Sequence, residues 1–181
     1  MRKLCVRVWV VGAMLAVSVP AFAQQSVTLT DTSQTTTLTA TVSEQARVTV
    51  PAGVTFNVTN VSASTAATAA SVTVQNIVLA TATKQMRVSL QANAASFTPP
   101  VVGATTWAPG DVTWNAATWT NATGASGTLS NAAYTAVATC TADVADCSTT
   151  GLVFTLGAKA TVKSAGDHTL VVTWKFESIG S

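Results

Sequence analysis

The chain has 181 residues, of which only 9% are charged and 48% are hydrophobic, and its formal net charge is +2. An ordinary soluble domain has about 25% charged residues. The positive excess comes from residues 2–7, because the chain from residue 24 onward has six basic and seven acidic residues. That part has no basic stripe to neutralise phosphates, so we expect no nucleic-acid partner.

Residues 1–23 predict a cleaved signal peptide. A basic start in residues 2–7 is followed by an apolar stretch over residues 8–19 and by the small-residue cleavage site Ala21-Phe22-Ala23. The apolar stretch has twelve residues, whereas a membrane-spanning helix needs about 20. We therefore expect secretion to the periplasm or cell surface, and a mature chain, residues 24–181, without a transmembrane anchor.

Period-two alternation of apolar and polar residues recurs along the mature chain and predicts strands. The alternating runs, in chain order, are 27–29, 38–42, 48–50, 54–58, 72–74, 86–90, 152–156, 160–162 and 170–176. Thr, which is β-branched and suits a pleated surface, supplies 33 of the 158 residues of the mature chain. Gly, Pro and Asp clusters separate the runs, so we expect a single antiparallel β-sandwich domain over residues 24–181.

Cys140 and Cys147 are the cysteines that remain after the signal peptide. An even number of cysteines in an exported chain favours a disulfide. Closing so short a loop stabilises the fold by roughly 2 to 3 kcal/mol in the chain-entropy model. A redox role would need the Cys-x-x-Cys spacing, which this pair does not have.

Three tryptophans, Trp107, Trp114 and Trp119, fall within thirteen residues. An indole offers a flat apolar face and an N–H donor, so one interpretation of the cluster is a platform on which sugar rings stack. The other interpretation is core or edge packing. An unbroken strand would send Trp114 and Trp119 to opposite faces, because their separation is odd.

The sequence predicts no catalytic or metal site. His168, the only histidine, follows Asp167, but no Gly-x-Ser-x-Gly motif accompanies them. One histidine and a predicted disulfide leave no zinc cluster, and Asp143 and Asp146 do not have the spacing of a calcium loop. We therefore expect neither enzyme activity nor a cofactor.

The style of the chain resembles secreted bacterial β-sandwich surface subunits, the class that includes fimbrial and coat-type proteins. The resemblance is carried by the signal ending at Ala23, the alternating segment 24–42, the Thr-rich strands and the closing run 169–176. It implies an immunoglobulin-like sandwich and assembly by strand addition, in which an extended segment completes the sheet of a neighbour. The close, late cysteine pair departs from the fimbrial pattern, in which the bridge ties the first strands together.

A donor segment must alternate, because its backbone extends the sheet while every second side chain fills a groove. The candidates are Val27 and Leu29, and Leu38, Ala40 and Val42. The alternative is that residues 24–42 are the first strand of the domain itself. We thus expect a non-catalytic structural or adhesive surface subunit whose partners are its own copies or other surface subunits. The alternative function is a glycan- or ligand-binding module built on the three tryptophans.

Overall fold

The computed structural model describes residues 36–180. The predicted signal peptide and the first donor candidates, Val27 and Leu29, lie outside the described residues. From Thr41 onward the chain forms one compact unit. Residues 36–40, which precede that unit, are exposed and belong to no strand.

The described chain is all-β, as predicted, with one short 3-10 turn at Pro109–Asp111. The strands are β1 (Gln45–Thr49), β2 (Thr65–Ala66), β3 (Ala70–Val78), β4 (Gln85–Ala92), β5 (Val112–Trp114), β6 (Ala122–Gly124), β7 (Gly127–Thr128), β8 (Thr135–Cys140), β9 (Cys147–Leu152), β10 (Phe154–Leu156) and β11 (Val172–Ile179). Among the described residues, no helix is long and apolar enough to cross a membrane.

All strand pairs are antiparallel, and they form three sheets. The sheet orders are β1-β3-β9, β2-β10-β5-β7 and β11-β4-β8-β6. The longest ladder joins β11 to β4 and runs in unbroken register from Val172 opposite Ala92 to Ile179 opposite Gln85. This ladder sets the two ends of the unit: the hairpin pole, at the β3–β4 turn of residues 79–84, and the loop pole, at residues 93–105.

The core follows from the alternation. In β3 and β4 the alternating residues Val72, Val74, Val88 and Leu90 are almost completely buried, because every second side chain of a strand points to the same face of its sheet. Burial of such side chains is the main contribution to stability in a chain with so few charges.

Three predicted strands are not formed. Residues 38–42 have no ladder partner, and residues 54–58 and 160–162 are irregular. Val54, Phe56 and Val58 nevertheless pack against the buried core. Their alternation therefore places side chains on the core from an extended segment that has no neighbouring strand to pair with.

One long side of the unit is closed. Thr120 pairs with Ser148 of β9, and the strand that follows, β6, pairs with β8. The predicted disulfide between Cys140 and Cys147 is confirmed, and it joins the end of β8 to the start of β9. The edge strands β1 and β11 therefore lie on the opposite long side.

Candidate functional site: an open seam between two edge strands

The tryptophan cluster is buried. Trp107, Trp114 and Trp119 are 4%, 3% and 8% exposed. Trp107 Nε1 donates to the Gly157 carbonyl over 2.9 Å, and Trp114 Nε1 donates to the Ala125 carbonyl over 3.0 Å. A sugar platform needs exposed indole faces, and these three side chains have none, so the packing interpretation of the cluster is the one that fits.

Trp119 differs from the other two tryptophans in its polar atom. Its Nε1 is buried and has no hydrogen-bond partner. The indole lies against β6 at Gly124, where a side chain would meet it: a Cβ there would stand 2.9 Å from Trp119 Cδ1. The strand keeps a glycine at this point because the indole and the backbone approach closely.

His168 is held as a structural residue. Its Nε2 faces the Ser164 carbonyl at 3.1 Å, and its Nδ1 faces the Thr106 hydroxyl at 2.7 Å. A carbonyl only accepts, so Nε2 is the donor to Ser164, and in a neutral ring Nδ1 is then the acceptor from Thr106. The ring packs edge-on against Trp107 at a centroid distance of 5.1 Å. These contacts fix the loop before β11 and engage both ring nitrogens.

The two acidic residues of the disulfide loop, Asp143 and Asp146, form no metal-binding group with other described side chains. Asp143 has a left-handed backbone with φ 57°, and the Asp146 carbonyl accepts a hydrogen bond from Asn121 Nδ2. Over residues 36–180, no three His, Cys, Asp or Glu side chains are grouped so that they could hold a metal ion.

The side of the unit that carries β1 and β11 is not closed by strand pairing among the described residues. Each of these strands is the last strand of its sheet, and no ladder in the described part of the chain joins one to the other. We call the space between them the seam. An unpaired strand edge presents a row of free backbone N–H and C=O groups, to which another strand can pair.

The β11 wall of the seam is aromatic. Trp174 lies opposite Leu90 and Phe176 lies opposite Val88, so both side chains point to the core face of the sheet. Both are nevertheless only partly buried, as is every other residue of β11. Large aromatic side chains on a core face are normally covered by the next strand, and residues 36–180 supply no such strand beside β11.

The β1 wall of the seam has the same character. Val48 lies opposite the fully buried Val74 and therefore faces inward, yet its side chain is 42% exposed. Ala46 packs on the same buried cluster as Trp174 and Phe176. The two edge strands thus share one apolar floor and leave it open along its length.

The backbone of β11 is available for pairing on the seam side. Asn93 donates its backbone N–H to the Val171 carbonyl over 3.0 Å, and these two residues continue the β4–β11 register. Antiparallel residues alternate between facing the partner strand and facing away. Positions 172, 174, 176 and 178 therefore direct their backbone groups into the seam.

Glu44 fixes the point where the chain enters the compact unit. Its Oε1 accepts the Ala80 backbone N–H at 2.7 Å, the Lys84 ammonium at 3.1 Å and the Ser178 hydroxyl at 3.2 Å. The Ala80 hydrogen bond and the Lys84 ion pair hold the pKa of Glu44 below its usual value. The residue thus ties the start of β1 to the β3–β4 turn and to the end of β11.

The sequence did not point to Glu44 or to the seam. The Glu44 partners lie 36, 40 and 134 residues away in the chain, and an isolated acid among polar residues has no local pattern. The alternation of β11 was visible in the sequence, but its position at the edge of a sheet was not. Two residues that the sequence did single out, Leu38 and Val42 of the predicted donor segment, are 91% and 70% exposed.

Comparisons of the chain with protein-family models, with curated proteins and with solved structures found no match.

Proposed function

We propose that this protein is a non-catalytic structural subunit of a bacterial surface assembly, and that copies join by strand addition at the seam. In this proposal the domain is an immunoglobulin-like sandwich that is incomplete by one strand. The observation that carries the proposal is the edge of β11, where Trp174 and Phe176 stand on the core face and no strand within residues 36–180 covers them.

The size of the seam suits an extended peptide. β11 has eight residues, which corresponds to about 26 Å of strand. Four of its side chains, at positions 172, 174, 176 and 178, face the inside of the seam. A donor strand with apolar side chains at every second position would cover them, and Leu38, Ala40 and Val42 provide such a series.

The chain direction favours a donor from a second copy. β11 runs from the loop pole to the hairpin pole, and Glu44 holds the entry of the chain at the hairpin pole. A segment folded back from Glu44 onto β11 of its own unit would run parallel to β11. Antiparallel pairing is slightly more stable per residue, and a second copy can supply it.

The first experiment compares residues 24–181 with a chain that begins at Ser43, by light scattering and by unheated gel electrophoresis. We expect heat-sensitive multimers from the longer chain and folded monomers from the shorter one, which keeps Glu44 and β1. If both chains are monomers, or if the shorter chain is unfolded, strand exchange is wrong.

A peptide experiment then assigns the donor residues. The chain that begins at Ser43 is mixed with a peptide of residues 24–42, and Trp174 fluorescence is followed, with Trp174→Phe as the control for the source of the signal. We expect a blue shift, because the added strand covers a partly exposed indole. A peptide with Asn at positions 38, 40 and 42 should give none, and a second with Asn at 27 and 29 tests the other alternating set.

A further inference from the structure

An apolar loop tip projects at the loop pole. Val101 and Val102 are 58% and 100% exposed, in a turn closed by a 3.1 Å hydrogen bond from the Ala104 N–H to the Val101 carbonyl. Gly103 has φ 78°, a conformation that suits glycine. Residues 99–104 include no charged side chain. We call residues 99–104 the tip.

The tip stands on a fixed base. Thr98 forms a bridge with Thr169, and Phe97 donates its backbone N–H to the Trp107 carbonyl over 2.9 Å. Thr169 lies in the segment that leads into β11, and Trp107 is one of the three buried tryptophans. The two exposed valines are therefore held at a defined place at the loop pole instead of on a free chain.

A groove of about 410 Å³ lies at the opposite end of the unit, the hairpin pole. Its lining combines apolar side chains with small exposed residues and a single charged one, Asp143. The apolar lining includes Ile77, Leu79, Met86 and Val144, and the small residues at its rim include Ala82 and Ala145. We call this depression the pole groove.

Strand addition would bring these two features together. A donor that pairs antiparallel to β11 ends, at Val42, at the loop pole of the acceptor. Two residues later Glu44 is fixed at the hairpin pole of the donor unit. Two residues span at most about 7 Å, so the loop pole of the acceptor and the hairpin pole of the donor must be in contact.

We infer that the tip of each copy, Val101 and Val102, packs into the pole groove of the copy whose segment it has accepted. This inference rests on the proposed function and adds a second contact between the same two copies. The contact is heterologous, since two different surfaces meet, and repetition of such a contact builds an open filament. It would remove from water an exposed apolar tip that a monomer leaves uncovered.

Pairwise cross-linking tests the contact. Full-length chains that carry Val102→Cys and Ala82→Cys are produced together, their multimers are oxidised, and cross-linked pairs are counted on a non-reducing gel. We expect several-fold more cross-link than from either variant alone. The pair Val102→Cys and Ala116→Cys is the matched control, because Ala116 is exposed and lies outside the tip and the pole groove.

Substitutions give an independent readout. Ala145→Arg places a long charged side chain in the pole groove from an exposed position, and Ala116→Arg is its matched control. We expect Ala145→Arg and the double change Val101→Ser, Val102→Ser to give multimers several-fold shorter by electron microscopy. Each unit should keep an unchanged thermal unfolding midpoint, since the substituted side chains are exposed.

The outcomes separate the two proposals. Multimers that depend on residues 24–42, with cross-linking at the control level and unchanged length in both variants, would overturn this inference and leave the proposed function standing. This inference would also be overturned if the double change Val101→Ser, Val102→Ser left the multimer length unchanged and reduced only the binding of the multimers to an apolar surface. A wild-type chain that forms no multimers would overturn both proposals.

Discussion

The buried tryptophans differ in whether the indole N–H donates a hydrogen bond. This difference should be measurable in the free energy of unfolding of Trp→Phe variants. Trp114 Nε1 is bonded to the Ala125 carbonyl, whereas Trp119 Nε1 has no partner. A Trp→Phe change at either position loses similar volume. Only at position 114 does it also remove a hydrogen bond, the one to the partly buried Ala125 carbonyl, and such a bond contributes about 0.5 to 1.5 kcal/mol.

We therefore expect Trp114→Phe to lower the free energy of unfolding more than Trp119→Phe does, by about 0.5 to 1.5 kcal/mol. Urea titration of both variants, followed by circular dichroism, measures the difference. Equal losses would mean that the hydrogen bond of Trp114 contributes nothing to stability beyond packing.

A single carboxylate, that of Asp111, closes its own turn and links that turn to Lys159. Its Oδ2 accepts the Lys159 ammonium at 2.8 Å and the Ala108 N–H at 2.8 Å. Partial burial alone would raise the pKa of Asp111, but the Lys159 and Ala108 hydrogen bonds outweigh it and leave the pKa lowered. A carboxyl with a depressed pKa stabilises the fold above its unfolded pKa, near 4, and loses that effect as pH falls through the folded value.

Asp111→Asn should therefore lower the thermal unfolding midpoint at pH 7, and the gap to the wild type should narrow as pH falls below about 4. Calorimetry from pH 7 to pH 2 follows the gap. Asp167→Asn, a change at an exposed acid, is the control. A gap that stays constant with pH would show that the ionised form of Asp111 gives no stability.

At the scale of elements, short strands such as β6 depend on close backbone approach. A Cβ at Gly124 would stand 2.2 Å from the Ala117 carbonyl oxygen, a backbone atom that cannot turn away. At Gly53, in contrast, a Cβ would meet nothing within 4 Å. The same substitution should thus have opposite effects at the two glycines.

We expect Gly124→Ala to destabilise the fold by about 1 to 3 kcal/mol, the usual cost of forced overpacking. Gly53→Ala should be neutral or stabilise by up to about 1 kcal/mol, because it restricts the unfolded chain. Chemical denaturation of both variants decides this. A stable Gly124→Ala protein would mean that β6 can move away from Ala117.

At the scale of the whole molecule, the open side between β1 and β11 is the feature on which assembly would depend. Val48 faces the seam and its neighbour Thr49, on the same strand, faces the other way. A lysine at position 48 would place a charge where the donor side chains must lie. A lysine at position 49 would be solvated.

Val48→Lys should therefore abolish the multimers of the chain that begins at residue 24, while Thr49→Lys should leave them intact. Since both positions are exposed, each variant should unfold within about 1 kcal/mol of the wild type, as is usual for surface changes. Gel filtration and light scattering report the assembly state. Intact multimers from Val48→Lys would place the contact between copies elsewhere than the seam.

The sequence by itself determined the all-β class, the three longest strands and the disulfide. These follow from local properties: the period-two alternation of apolar and polar residues in β3, β4 and β11, the β-branched composition, and an even cysteine pair only seven residues apart. The six-residue strand β8, and β9 except for Leu152, lie outside the predicted runs. So do the short strands β2, β5, β6 and β7, which have two or three residues each. A strand of that length is too short to show a period.

Only the tertiary structure decided which strands are edges, and hence where a seam lies. Trp174 and Phe176 alternate in the sequence as any core-facing pair would, and they are partly exposed at a strand that no other described strand flanks on its outer side. The three clustered tryptophans show the reverse case, since the same residue type that suits a platform is buried here by segments distant in the chain. Alternation is fixed by neighbouring residues, whereas burial depends on long-range pairing, and for that reason the sequence alone could not locate the seam.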